Sequence, residues 1–455
     1  MADIVIIGAG LTGLSAAYHL EKKGFSSYRL FEKEQEIGGL CRSVVQDGFT
    51  FDFTGHLLHT SDAYFAELIE QIVGLENLNT IERASFIYSH DTYTRYPFQA
   101  NLYGLPDDVI VDCIAGFVQR TISRKEPKTF PQWVQHNFGD GFARHFFLPY
   151  QAKIFAYNLD KITASWTNRF VPSTSLKQII KGALRDCYEQ SIGYNAQFLY
   201  PKQGGIISWV KKLADQIKTP IATGFCVQAI DIKHKYVTFS NGHVEPYTYL
   251  INTMPLDNLL QLLVENSSTS YAQASKKLLC NTVVNFNLGI RRPDLSDKHW
   301  IYFPEAHYPF YRIGFAHNFA SSMAPAGCSS VYGEFAYLGK SHTWVNATLQ
   351  DALRLTKRFL GVTEQDIATE KIIHIPHAYV IYDQWRERNL EKLLAQLKKD
   401  SIYSIGRYGQ WKYSSMQEAV LDGKKIAEIL TVLPAKQAVE HQNKSIAQHT
   451  QEIEV

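Results

Sequence analysis

The sequence predicts an α/β fold, and three observations near its start carry that prediction. An apolar run, Ile4 to Ile7, reads as a buried parallel strand, and Leu11 to Lys22 reads as the helix after it. Gly8, Gly10 and Gly13 punctuate the junction. They permit a tight turn, a close approach of backbone to a pyrophosphate, and close helix–strand packing, while the helix N-terminus offers amide donors to phosphate. Glu32, nineteen residues after Gly13, ends a second strand, Tyr28 to Phe31, where a carboxylate can accept both ribose hydroxyls. Strand, helix and acid at this spacing specify a Rossmann-like dinucleotide-binding domain.

At 455 residues the chain has room for two or three packed units of roughly 150 residues each. Hydrophobic content of 45% with 20% charged residues describes a globular protein, and a net charge of +2 gives no general attraction to nucleic acid or membrane. An anion site must therefore be local. No apolar stretch reaches the roughly 20 residues that span a bilayer, and the first strand lacks the basic flank of a signal peptide, so a cytoplasmic location is expected. Cysteines 41, 113, 187, 226, 280 and 328 form no CxxC pair. Neither a zinc site nor a disulfide framework is expected.

The dinucleotide domain reads as three separated segments, 1–95, 197–275 and 370–433. The middle one carries alternating apolar positions at Val227, Ile230 and Ile232 and a Ser240-Asn241-Gly242 hairpin signal. Leu250 to Pro255 reads as a strand returning to the nucleotide, and the last segment contains GRYGQWKYSSMQEAVLDGKKIAEIL. Residues 96–196 read as a helical insertion, with helices expected over Asp107–Arg124 and Phe130–Phe146. Residues 276–369 read as a strand-rich substrate domain with a helix over Trp344–Leu360. Residues 434–455 are polar, rich in Gln and His, and read as a disordered tail.

Gly38-Gly39-Leu40-Cys41-Arg42 follows six residues after the ribose acid. NAD sites need no second glycine pair there. Flavoproteins of the amine-oxidase and FAD-mutase superfamily do, and the chain resembles them as a GR2-type FAD-binding protein, with Arg42 beside the pyrophosphate loop.

Further segments resemble one family within that group, the UDP-galactopyranose mutases. Thr54-Gly55-His56-Leu57-Leu58-His59 resembles their glycine–histidine loop at the flavin face, including the bacterial HxxH spacing. Tyr96-Pro97-Phe98-Gln99-Ala100-Asn101 resembles the eukaryotic-type YPFQNN, and Pro149-Tyr150-Gln151-Ala152-Lys153-Ile154-Phe155-Ala156 resembles PYNxKVWA. Trp300 to Glu305 followed by Pro309-Phe310-Tyr311-Arg312 resembles WxYFPE…PFYR. Pro376-His377-Ala378-Tyr379 and Gly406 to Tyr413 resemble HGY and GRFGxWxY. The likeness is collinear over about residues 3 to 430.

This resemblance implies FAD, active when reduced, held by Gly8, Gly10, Leu11, Thr12, Gly13, Glu32, Lys33, Gly38, Gly39, Leu40, Arg42, Gly55, His56, Val227, Gly406, Arg407, Met416 and Gln417. It implies a catalytic set of His56, Arg291 and Arg407. The implied substrate contacts are Tyr96, Phe98, Gln99, Gln151, Phe155, Tyr311, Tyr379 and Tyr413. One position has independent weight. In ordinary oxidases of the superfamily the residue after the late glycine is usually an acid; here it is Arg407, whose five-donor fork suits phosphate.

The implied reaction interconverts pyranose and furanose forms of a nucleotide-diphosphate sugar, with a UDP-sugar as the expected partner. The reduced flavin's N5 forms a bond to the sugar and no net electrons move. NAD(P)H or a reductase would supply the reducing electrons, and glycan biosynthesis is the expected setting. Phe155 stands where the family has tryptophan, and Gln151 and Gln417 where it has asparagine, which leaves sugar and base preference open. Two other readings fit the nucleotide motif: an amine oxidase or protoporphyrinogen-oxidase-like oxidoreductase, and a non-catalytic flavin-binding partner protein.

Overall fold

The structure is a computed structural model describing residues 3–121, 126–167, 171–186, 196–264 and 270–432. The tail expected over 434–455 lies outside these residues. Two compact units divide the chain: Met1–Gly39 with Val210–Ser275 and Lys392–Val455, and Leu40–Trp209 with Lys276–Glu391.

The first unit is built on a five-stranded parallel sheet in the order Ile402–Ser404, Tyr249–Asn252, Ile4–Ile7, Tyr28–Phe31, Ile221–Ala222. Ile4 to Ile7 are buried throughout, as a central strand covered on both faces requires. The helix Leu11–Lys22 follows directly, and Ser15 Oγ donates to the Val420 carbonyl at 2.7 Å, tying it to the helical stretch 416–432. A four-stranded sheet carries the expected hairpin: Tyr236–Phe239 pairs antiparallel with Val244–Pro246 and with Val227–Asp231.

The second unit centres on a seven-stranded sheet in the order Ile367–Ile375, Thr282–Ile290, Ser329–Tyr337, Arg312–Phe315, Trp300–Tyr302, Ser85–Ser89, Thr92–Arg95. Its two faces differ. Val284, Phe286, Leu288 and Ile290 alternate inward with Ile301, Ile313, Phe315, Val331 and Phe335, and they pack with Val345, Ala352 and Leu353 of the helix His342–Leu360. Each such buried side chain stabilises the sheet by roughly 2 kcal/mol. The other face takes the alternate positions, and there the sequence supplies Asn285, Asn287, Glu334, Tyr332, Arg312 and Tyr302. These groups are buried or half-buried, so the polar face is covered by protein rather than turned to water.

The helical part of this unit comprises Asp107–Gln119, Phe130–Phe142, a π-helical turn Ala143–Phe147 and Leu148–Phe155. Its core is aromatic: Phe98, Phe130, Phe138, Phe142, Phe146 and Phe147 pack with Tyr150.

The domain plan differs from the sequence expectation. The first nucleotide segment ends at Gly39 rather than near residue 95, and both expected insertions fall in one unit with residues 40–95. The cause is strand pairing, since Ser85–Ser89 bonds in parallel to Trp300–Tyr302 and draws the intervening chain into the seven-stranded sheet. No helix among the described residues is long and apolar enough to cross a membrane, and no cluster of metal-ligating side chains occurs among them.

Candidate functional site

In the first unit the glycines of the predicted turn and Glu32 pack together. Gly13 packs its backbone against Gly8, where an added Cβ would sit 1.9 Å from the Gly8 carbonyl oxygen. Only hydrogen fits there, so the helix starts hard against the strand end. No side chain caps that helix, which leaves its first amides directed at whatever occupies the turn. Glu32 is buried at the end of Tyr28–Phe31, accepting from the Ala9 amide at 2.8 Å through Oε2 and from the Glu34 amide at 3.0 Å through Oε1. The second glycine pair joins the first through a parallel bridge between Gly10 and Gly38 and a bond from the Gly38 amide to the Ala9 carbonyl at 2.9 Å.

From the last segment, Gly406 lies over Thr12. Arg407 donates to the Ser414 carbonyl at 2.7 Å, with its guanidinium carbon 4.8 Å from the Tyr413 ring centre. Met416 and Gln417 are buried at the start of the following helical stretch, Val227 is half-buried, and Lys33 is exposed. A pyrophosphate cradle with a carboxylate at its ribose end suits FAD.

Other predicted residues belong to the second unit, and some of them lie near its polar sheet face. Arg312 and Glu334 stand opposite each other on neighbouring strands, and one terminal nitrogen of the guanidinium donates to both carboxylate oxygens, at 2.7 and 2.9 Å. Burial works against the arginine's charge, but the Glu334 carboxylate outweighs it, and the pKa stays well above its ordinary value. Tyr302 faces Arg312 across the next strand pair. Tyr302 also meets the rings of Tyr96 and Tyr150, each with centroids 5.3 Å apart. Burial pushes the Tyr150 and Tyr311 hydroxyls well above their usual range, so both remain protonated donors. Tyr379 lies edge-on to Tyr311 and to Phe155, each at 6.4 Å, and Gln151 is half-buried on the same helix as Phe155.

The loop carrying His56 reaches this face too. Gly55 lies against Tyr332, where a Cβ would meet the hydroxyl at 2.4 Å. Thr54 beside it holds φ at 75°, a left-handed conformation that costs a β-branched residue on the order of 1–3 kcal/mol. His56 is half-buried, Leu40 and Arg42 likewise, and Arg42 lies 4.7 Å over the Phe53 ring. His59 packs toward Phe198, and burial pushes its imidazole down to about 4, which keeps it neutral at physiological pH.

At the root of that loop Asp52 accepts from Ser43 at 2.6 Å, Tyr200 at 2.7 Å and the Ile206 amide at 3.2 Å. Burial raises its carboxyl from 3.8 to about 6, against the pull of these bonds. The folded state thus holds the proton more tightly than the unfolded chain. That contribution is fully present below about pH 4 and is lost as pH rises through about 6, a change of roughly 3 kcal/mol. Asp52→Asn, which imitates the protonated form, should therefore gain stability relative to wild type between pH 4 and 7. Urea midpoints of the two proteins that run parallel across this window would contradict the assignment.

Three predictions need correction. Arg291 does not join Tyr379: it follows the far end of Thr282–Ile290, whose near end adjoins Asn281 and Tyr379, and nine extended residues separate them by roughly 30 Å. Its guanidinium donates instead to the Gln365 and Ile367 carbonyls at 3.2 and 2.9 Å on the surface. Phe98 is wholly buried in the helical core, stacked on Phe146 at 4.9 Å, and so cannot touch a substrate. Gln99 is 2% exposed and donates to the Pro172 carbonyl at 2.7 Å, a bond that fixes a loop.

The polar face also contains Arg312 and Tyr302, which stand in the quoted motifs but were given no site role, together with Glu334 and, at its edge, Asn281, which the motifs do not include. A period-2 signal for them exists in TVVNFNLGI, where Asn285 and Asn287 alternate with apolar residues, and in the lone acid of VYGEFAY. A carboxylate inside an apolar strand needs a cationic partner, and Arg312 opens a neighbouring strand.

Comparisons with known proteins agree with this architecture. A family model of flavin-containing amine oxidoreductases matches residues 11–431. A 4,4'-diapolycopene oxygenase of Methylomonas sp is 23% identical over 390 residues, 72% of this chain and 74% of that protein. The crystal structure of a reduced UDP-galactopyranose mutase superposes with a TM-score of 0.88 at 27% identity, covering 95% of this chain and 96% of that one. Putrescine oxidase bound to putrescine superposes with a TM-score of 0.64 at 14% identity, over 95% and 99% of the two chains, a likeness of fold alone. With its glycine turn, ribose acid and near full-length match, the chain belongs to the flavin-containing amine oxidoreductase family and takes FAD as its cofactor.

Proposed function

We propose that the protein is a mutase that interconverts pyranose and furanose forms of a nucleotide-diphosphate sugar, with a UDP-sugar as substrate. The observation that carries this reading is the buried sheet face on which Arg312 is held by Glu334 and ringed by tyrosines 150, 302 and 379. A cation fixed among neutral hydroxyl donors matches a diphosphate, whose charge grows when its bond to the sugar breaks. Reduced FAD supplies the nucleophile when bound and finishes the cycle with no net change in electrons. NAD(P)H or a reductase would keep it reduced. The protein's own part is to grip the leaving diphosphate, orient the sugar and exclude water. Within the second unit Arg312 with Tyr379 serves the first of these, and the half-buried Gln151 and the buried Phe155 bear on the sugar. The likeness to reduced UDP-galactopyranose mutase supports the same reading.

A second reading, an FAD oxidoreductase acting on an apolar substrate, draws on the oxygenase relative. The polar face weighs against it. Arg312 Nε is buried there without a hydrogen-bond partner, and an apolar substrate would leave it so, at a cost of roughly 1–3 kcal/mol.

The test is direct. Dithionite-reduced protein should bind UDP and convert UDP-galactose to a second isomer resolved by chromatography, whereas oxidised protein should not turn over. Peroxide release on adding an amine, with no UDP binding, would overturn the reading. Arg407→Ala should retain flavin absorbance yet lose on the order of 100-fold or more in turnover, the usual cost of removing a charge-stabilising donor. Loss of flavin with the activity would instead make Arg407 a cofactor anchor.

A further inference from the structure

The helix Leu148–Phe155 carries Tyr150, Gln151 and Phe155, yet its own hydrogen bonds do not determine how far it stands from the sheet. Two side chains do, one half-buried and one buried. Lys153 projects from it and donates through Nζ to the carbonyls of Phe303 at 2.5 Å and Glu305 at 3.1 Å, just beyond the strand Trp300–Tyr302. Asn281, wholly buried, donates to the Ile154 and Phe155 carbonyls at 2.6 and 3.1 Å and accepts from the Tyr379 amide at 2.9 Å. One clip thus ties the helix to the strand that bears Tyr302, and the other ties its end to the segment that bears Tyr379.

We propose that Lys153 is a positioning residue: by pinning the helix to the Phe303–Glu305 turn it sets the edge-to-face contact of Tyr150 with Tyr302, and with it the placement of Tyr150 on the polar face that bears Arg312. The proposal rests on the functional reading above for what binds at this face. The chemistry of the contact favours a geometric role over a stabilising one. Burial pushes the amine down to about 7, and its nearest partners are neutral carbonyls, with the Glu305 carboxylate giving weaker support. An ammonium so desolvated is a costly way to join two elements. What it gives that an apolar residue cannot is direction, because two N–H bonds fix the lateral placement of a helix that van der Waals packing alone leaves free to slide. The Tyr150–Tyr302 contact, 5.3 Å between centroids at 72°, depends on that placement.

Lys153→Met fills the same space without donors, and Lys153→Arg keeps them. In full-length FAD-loaded protein, hydrogen exchange of amides 148–155 should quicken roughly tenfold in the methionine variant and stay near wild type elsewhere. In the reduced enzyme KM for UDP-galactose should rise about tenfold with kcat changed far less, and the arginine variant should recover most of both losses. Unchanged exchange over 148–155 in Lys153→Met would overturn the proposal. So would a loss of flavin and thermal stability that Lys153→Arg shares. If wild-type protein shows no activity on UDP-sugars, the functional reading falls, and the exchange measurement alone decides whether Lys153 positions the helix.

Discussion

Arg312→Ala should be the most damaging single substitution in the second unit, costing both turnover and fold stability. Glu334 has no exposed surface, and its two oxygens take bonds of 2.7 and 2.9 Å from the Arg312 guanidinium. Removing the cation strands a buried carboxylate, and breaking such a pair from one side costs about 3–5 kcal/mol. Turnover of a UDP-sugar should fall at least 100-fold, since a fixed donor to the leaving diphosphate is lost. The two effects can be separated. A double variant, Arg312→Met with Glu334→Leu, removes both charges and should recover most of the denaturation midpoint while remaining inactive. If Arg312→Ala keeps wild-type midpoint and turnover, the polar face is not the seat of activity. If the double variant regains activity, the arginine serves only to balance the acid.

Gly13→Ala should abolish stable FAD binding. A methyl group there would lie 1.9 Å from the Gly8 carbonyl oxygen, and the neighbour is backbone rather than a side chain that could swing aside. The helix must retreat from the strand end, carrying its first amides and Thr12 with it, and Thr12 is packed against Gly406. Overpacking of this kind costs roughly 1–3 kcal/mol, and the cost falls on the geometry that binds pyrophosphate, so affinity should drop about 10- to 100-fold. Purified variant should lack the visible flavin bands, and titration with FAD should give the weaker Kd. Retention of stoichiometric flavin through gel filtration would show that the turn tolerates the shift and that phosphate binding does not depend on this contact.

The parts of the site that were legible differ from the rest in the range of their interactions. Gly8, Gly13 and Glu32 lie within one strand–helix–strand unit, and their spacing alone brings the carboxylate back to the Ala9 amide. Gly38 was readable for the same reason, sitting shortly after the acid and bridging to Gly10. Arg407 stands out in the sequence because an arginine occupies the place where the superfamily resemblance leads one to expect an acid, and its role belongs to the proposed function. Arg291 was misjudged because a motif gives a residue's place along a strand but not which end of that strand the site occupies. Phe98 and Gln99 stand in a recognisable segment, yet the helices folded over them turn one into core and the other into a loop tie.

By itself, then, the amino-acid sequence determined the nucleotide turn, the cofactor class and the alternation that makes one face of the second unit's sheet polar. These follow from local backbone geometry and from the two-residue period of a strand. The pairing of Arg312 with Glu334, the seating of Gly55 on Tyr332 and the clipping of one helix by Lys153 and Asn281 were decided only in the folded chain. Each joins residues distant in sequence through the register of strands or the docking of a helix. Register and docking are chosen by the burial of the opposite, apolar face, so the polar contacts that carry chemistry are set by packing that takes no part in it.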